Sequence, residues 1–196
     1  MNTPITLAIT GASGAQYGLR LLQVLTQHRI PVICLFSTAA KAVIRAEIHA
    51  EFPDTPADIN HFLQQQLKFD TEYLTLPSSH DWFCSAASGS SAPKRMVVCP
   101  CSMGTLAAIA HGMSDNLIER AADVILKERG KLILVPRETP LSTLHLQNML
   151  QLSQLGAIVM PAMTHIAHAP MAGKILAALP KYLDTNRSRL DSMRVA

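Results

Sequence analysis

The residues with the most chemical promise fall in short segments that are far apart in the chain. Gly11-Ala12-Ser13-Gly14 joins glycines to a hydroxyl, and such a loop can turn tightly and offer backbone N–H groups to an anion at a helix start. Ser37 and Thr38 supply hydroxyls, as do Ser102 and Thr105 after Pro100. Hydroxyls and free amides at a helix start suit a phosphate or the edge of a flat ring. Arg137-Glu138 sets a guanidinium able to grip phosphate beside a carboxylate able to move protons. Arg120 and Lys127, seven residues apart, share one helix face. Each has a plainer role as well: a tight turn for the glycines, an N-cap for Ser102, a solvated face for Arg120 and Lys127.

A dinucleotide site is the obvious rival and fits poorly. Gly11, Gly14 and Gly18 are spaced Gly-x-x-Gly-x-x-x-Gly rather than Gly-x-Gly-x-x-Gly. Ser37-Thr38 stands where an acidic residue would hold a ribose, and none of Tyr17, Tyr73 and Tyr182 has the lysine four residues on that a short-chain dehydrogenase needs.

Apolar runs at 5–9, 31–36, 96–99, 132–135 and 157–160 read as strands. Helical patterns follow them: one up to about 27, then 39–46, 59–67, 102–110, 116–129 and 142–152. The stretch 85–93, rich in Ser, Ala and Gly, reads as a loop. Continuous apolar strands alternating with helices imply an α/β fold, a three-layer Rossmann-like (flavodoxin-like) parallel sheet with helices on both faces. Right-handed crossovers bring the carboxyl ends of its strands to one edge, where ligands bind. The four candidate loops, after residues 10, 36, 99 and 135, all fall on that edge.

At 196 residues one domain spanning 1–196 is expected, burying roughly 70% of its unfolded surface. Charged residues are 16% against 48% apolar, which suggests apolar surface turned toward another subunit. The net charge of +3 is too small to imply nucleic acid, and basic residues do not cluster with aromatics. Cys34, Cys84, Cys99 and Cys101 lack zinc-knuckle or Cys-x-x-Cys spacing, so reduced thiols and no metal are expected. With no signal-like amino terminus and no apolar run of about 18 residues, a cytoplasmic protein without a membrane span is expected.

Together, TGASGAQYGLRLL from Thr10, SGSSAP from Ser88, CPCSMGTLAAIAHG from Cys99, NLIERAADVILKE from Asn116, VPRETPLSTLHLQNM from Val135 and LGAIVMP from Leu155 resemble the UbiX-type flavin prenyltransferases, within the homo-oligomeric flavin-containing Cys decarboxylase folds. A phosphopantothenoylcysteine-type decarboxylase is less similar, since no Pro-x-Met-Asn-x-x-Met segment is present. The resemblance implies transfer of a dimethylallyl group from dimethylallyl monophosphate to reduced FMN without a metal. The prenylated FMN would serve a partner decarboxylase in ubiquinone biosynthesis or aromatic-acid decarboxylation. It also implies a homo-oligomer, typically a dodecamer, with flavin sites near subunit interfaces.

By the same resemblance, Gly11, Ala12, Ser13, Ser37, Ser102, Met103, Gly104, Thr105 and Arg137 match FMN contacts. Arg120, Lys127, Arg137 and Glu138 match the group around the prenyl phosphate. Ser13, Glu47 and Glu138 match residues that handle protons, and Trp82 matches an aromatic beside the allyl chain. These types suit the chemistry: cations stabilise a departing phosphate, π-faces stabilise an allylic cation, and a carboxylate or phosphate oxygen takes the released proton. After Pro161 the pattern departs: Ala167 falls at a family tyrosine and Leu183 at a family arginine, both phosphate contacts, with Lys181 or His168 as possible substitutes. An FMN-binding or FMN-delivering homologue without transferase activity and a flavin-dependent decarboxylase are the alternatives.

Overall fold

The computed structural model describes residues 4–162. Its centre is a parallel sheet of β1 (Ile5–Ile9), β2 (Val32–Phe36), β3 (Leu74–Thr75), β4 (Arg95–Cys101), β5 (Lys131–Pro136) and β6 (Ile158–Val159). Their order is β3-β2-β1-β4-β5-β6. With the two-residue edge strand β3 this is the Rossmann order; without it the remaining strands follow the flavodoxin order. Both halves of the expected fold description therefore hold. Either way the chain turns back between β1 and β4, so the crevice of the doubly wound fold opens at their carboxyl ends.

Strand composition follows from having helices on both faces. All of β1 is buried, and its residues alternate between two cores. Ile5, Leu7 and Ile9 join the cluster under α1 (Ala15–Gln27), α2 (Thr38–Ile48) and α3 (Pro56–Gln65). Ala8 joins the other, under α4 (Met103–Ala110), α5 (Leu117–Lys127) and α6 (Thr143–Gln154). Side-chain caps set several helix starts: Ser37 accepts from the Ala40 amide, Ser102 from Thr105, Asn116 from Ile118 and Glu119.

The differences from the sequence reading have local causes. Thr55 caps α3 and Pro56 fits its first position, so that helix begins earlier than the apolar pattern does. At two residues, β3 is too short to show a period. The stretch read as a loop carries a 3-10 turn, Ser85–Ala87, whose Ala86 and Ala87 are buried. Among the described residues, no helix is long and apolar enough to cross a membrane. On α6, Leu144, Leu146 and Leu150 are exposed and only Leu152 is buried. The apolar surface inferred from scarce charge thus has a location.

Candidate active site

A cleft of about 370 Å³ lies at the carboxyl edge of the sheet. Gly11, Ala12 and Ser13 line it from the end of β1, Ser102 and Met103 from the end of β4, and Arg137, Glu138 and Thr139 from the end of β5. Three chain segments read separately as ligand loops therefore share one cavity. Thr139 was missed, although it follows Arg137-Glu138 directly as the chain leaves a buried strand.

The glycine loop is built to approach its neighbours. A Cβ on Gly11 would overlap that of Ala39 in the first turn of α2, while Gly14 caps α1 at φ 91, which side chains resist. Its amides are less open to an anion than the sequence implies. The Ala12 N–H donates to the Thr10 carbonyl, and the Gly14 N–H donates to Glu47 Oε1 at 2.6 Å. Ser13 Oγ donates to the same oxygen at 3.0 Å. Glu47 is thus no solvated helix carboxylate. It places negative charge at the N-terminus of α1, and its Oε2 is buried with no hydrogen-bond partner among the described residues. Ser13 and Glu47 form one unit, with Glu138 across the cleft; the Thr139 N–H donates to Glu138 Oε1 at 3.1 Å.

Arg137 supplies the cleft's positive charge. Its Nε is buried and likewise has no partner among the described residues. A buried cationic donor without an acceptor is costly, and an anionic ligand in this cleft would satisfy it. At the head of α4, Ser102 Oγ accepts from the Thr105 amide at 3.2 Å and donates to Thr105 Oγ1 at 3.0 Å. Gly104 lies in the same turn, and a Cβ built on it meets nothing within 4 Å. A flavin phosphate and ring edge fit these residues: a charged donor, hydroxyls, a helix N-terminus and an uncrowded turn.

Other expected site residues lie elsewhere in the chain. Ser37 lines a second cleft of about 190 Å³, beside Lys41, Asp54, Ser78, Ser79 and Asn116. Gly11, in the first cleft, packs against Ala39 of α2, the helix whose Thr38 and Lys41 line the second. Arg120 lies on α5, where its Nε donates to the Ala87 carbonyl at 3.3 Å and its Nη1 pairs with Asp123 at 2.9 Å. Lys127 pairs with Glu128 at 2.6 Å, and its ammonium holds that carboxyl below its ordinary value. Trp82 is 43% exposed in the loop before the 3-10 turn. Neither Arg120 nor Lys127 nor Trp82 lines the Arg137 cleft. Ala167, His168, Lys181 and Leu183 lie outside the described residues.

The four cysteines are free thiols. Burial pushes the Cys99 thiol up to about 12 and raises Cys34 and Cys101 as well, so these three stay protonated at neutral pH. Among the described residues, no cluster of His, Cys, Asp or Glu is arranged to hold a metal ion.

A doubly wound parallel sheet with a cleft at its switch point places the chain in the Rossmann-like class of α/β proteins. The Flavoprotein family profile matches residues 1–184. The flavin prenyltransferase UbiX of Pseudomonas aeruginosa is 51% identical over 168 residues, covering 86% of this chain and 80% of that one. Among solved structures, AnUbiX (PadA1) in complex with FMN and dimethylallyl pyrophosphate superposes with TM-score 0.77 at 32% identity, covering 96% of each chain. A dodecameric FMN-dependent UbiX-like decarboxylase from Escherichia coli O157:H7 gives TM-score 0.75 at 34% identity, covering 93% of this chain and 96% of that one. The chain belongs to the Flavoprotein family and, within it, to the UbiX flavin prenyltransferases.

Proposed function

We propose that this protein transfers the dimethylallyl group of dimethylallyl monophosphate to reduced FMN and releases prenylated FMN to a decarboxylase in the cytoplasm. The observation that carries this reading is the cleft that Arg137, its buried Nε without a partner among the described residues, shares with Glu138 and with Ser13, which is bonded to Glu47. Reduced FMN supplies the electron-rich ring that accepts the allyl group. The chain's own residues bind, shield and move protons. Gly11, Ala12, Ser13, Ser37, Ser102, Met103, Gly104, Thr105 and Arg137 hold the flavin.

As the donor's C–O bond breaks, phosphate leaves with the bonding electrons, and Arg120, Lys127 and Arg137 stabilise it. Glu138 and the Ser13–Glu47 pair are placed to take the proton released when the product forms. Because Arg120, Lys127 and Trp82 stand apart from the cleft, a second copy of the chain is proposed to bring them to it in a homo-oligomer of dodecamer type. Residues 1–196 act as one flavoprotein domain.

Incubation with reduced FMN and dimethylallyl monophosphate, followed by mass measurement of the released flavin, tests the proposal. A mass increase by one dimethylallyl group is expected; an unmodified flavin would sink it. The sequence departures at Ala167 and Leu183 favour a second reading, an FMN carrier without transfer. Bound but unmodified flavin, with transfer recovered in the Ala167→Tyr/Leu183→Arg protein, would select that reading.

A further inference from the structure

We propose that Thr10 is a positioning residue that locks the two loops flanking the fold's switch point at the spacing the flavin requires; this rests on the flavin-binding reading above. Thr10 directly follows β1 as the chain enters the glycine loop and is completely buried. All of its polar groups are engaged. Its hydroxyl donates to the Pro100 carbonyl at 2.9 Å and accepts from the Ser102 amide at 2.7 Å. Its own N–H donates to the Pro100 carbonyl at 3.2 Å, and its carbonyl accepts from the Ala12 N–H at 2.9 Å.

These bonds occur just past the end of the assigned β1–β4 pairing. Pairing of β1 with β4 runs from Thr6–Met96 to Ala8–Val98, and pairing of β4 with β5 is irregular between Val98 and Cys101. Pro100 has no N–H with which to continue a ladder. At the switch point one backbone bond, Thr10 N–H to the Pro100 carbonyl, still joins the paths leaving β1 and β4, and the Thr10 hydroxyl carries the connection on to the Ser102 amide. On one side its carbonyl closes the turn at Ala12; on the other its oxygen holds the amide of Ser102, the N-cap of α4. Ala12, Ser13, Ser102 and Met103 line one cleft, so the hydroxyl ties together two of the segments that form it.

Thr10→Val keeps the shape and removes the hydroxyl, leaving the Ser102 amide without its acceptor. Thr10→Ser keeps the hydroxyl. In the full-length protein, Thr10→Val is expected to weaken FMN binding of the folded fraction about tenfold or more, while Thr10→Ser stays within about twofold of the parent. Without flavin, hydrogen–deuterium exchange in peptides spanning 99–106 is expected to accelerate in Thr10→Val and not in Thr10→Ser. A folded Thr10→Val protein with parental FMN affinity and parental exchange would overturn the inference, as would a folded Thr10→Ser protein as impaired as the valine variant. If Thr10→Val does not fold, Thr10→Ala takes its place with the same two outcomes. A parent protein that binds no FMN would instead refute the functional reading, because exchange at 99–106 reports on the hydroxyl's connection independently.

Discussion

The Arg137 cleft and the outer face of α5 both carry basic residues suited to phosphate, yet they are built differently. Arg137 leaves a buried strand, its Nε is sealed from water, and no carboxylate among the described residues satisfies that atom. On α5, Arg120 and Lys127 each lie beside a carboxylate of their own helix or its end, Asp123 and Glu128, and Lys127 is exposed. The contrast separates a buried donor with no acceptor among the described residues from basic side chains still holding intramolecular partners. Partly exposed pairs of this kind contribute little to stability, so a competing phosphate can exchange for the carboxylate at modest cost. A buried donor without an acceptor has no such alternative.

The largest expected effect comes from Arg137→Ala. Losing charge-assisted hydrogen bonds at about 1.5–3 kcal/mol each should weaken FMN binding roughly a hundredfold, measured by quenching of flavin fluorescence. An affinity within threefold of the parent would erase the distinction between the two regions. Next, Lys127→Ala should raise the KM for dimethylallyl monophosphate about tenfold while leaving FMN affinity within about twofold. An equal loss of both would place Lys127 in the flavin site instead.

Glu47→Gln should retain bulk while weakening the bonds from Ser13 and Gly14 and removing charge from the start of α1. A loss of about 1 kcal/mol in urea unfolding is expected, together with slower transfer. Unchanged stability and rate would return Glu47 to a bystander role. Gly104→Ala adds a Cβ where the chain leaves space and favours helix, so unfolding should change by no more than about 1 kcal/mol. FMN affinity should nonetheless fall if the cofactor passes over that turn; parental affinity would move it elsewhere.

The smallest effect concerns Glu128, whose carboxyl is held low chiefly by its hydrogen bond from Lys127. A lowered folded-state value means that the pair's stabilisation is present at neutral pH and is lost as pH falls through that value. The Tm difference between the parent and Glu128→Gln should therefore be slight at pH 7, begin to shrink near the ordinary glutamate value of about 4.3 and vanish once pH falls below the lowered folded-state value. A difference that grows on acidification would contradict the pairing.

Much of the architecture was legible because its physical signals are local. Buried parallel strands must be apolar throughout, and a hydroxyl or amide side chain before a helix must cap it. Ser37, Ser102, Asn116 and Ser142 do so here. The two-residue β3 and the 3-10 turn at Ser85 gave no periodic signal because neither is long enough to repeat one.

The chain order alone determined that Gly11–Ser13, Ser102–Met103 and Arg137–Glu138 follow strands and share the ligand edge of a parallel sheet. Which of them face one another was decided only by tertiary structure, because that depends on strand order and on contacts across long sequence separations. The Glu47 carboxylate reaches Ser13 and Gly14 from the far end of α2, and the Thr10 hydroxyl reaches Pro100 and Ser102 across the switch point. Hydrogen bonds of that kind leave no spacing rule in a sequence. They form where folding brings segments distant in sequence within about 3 Å of each other's polar atoms.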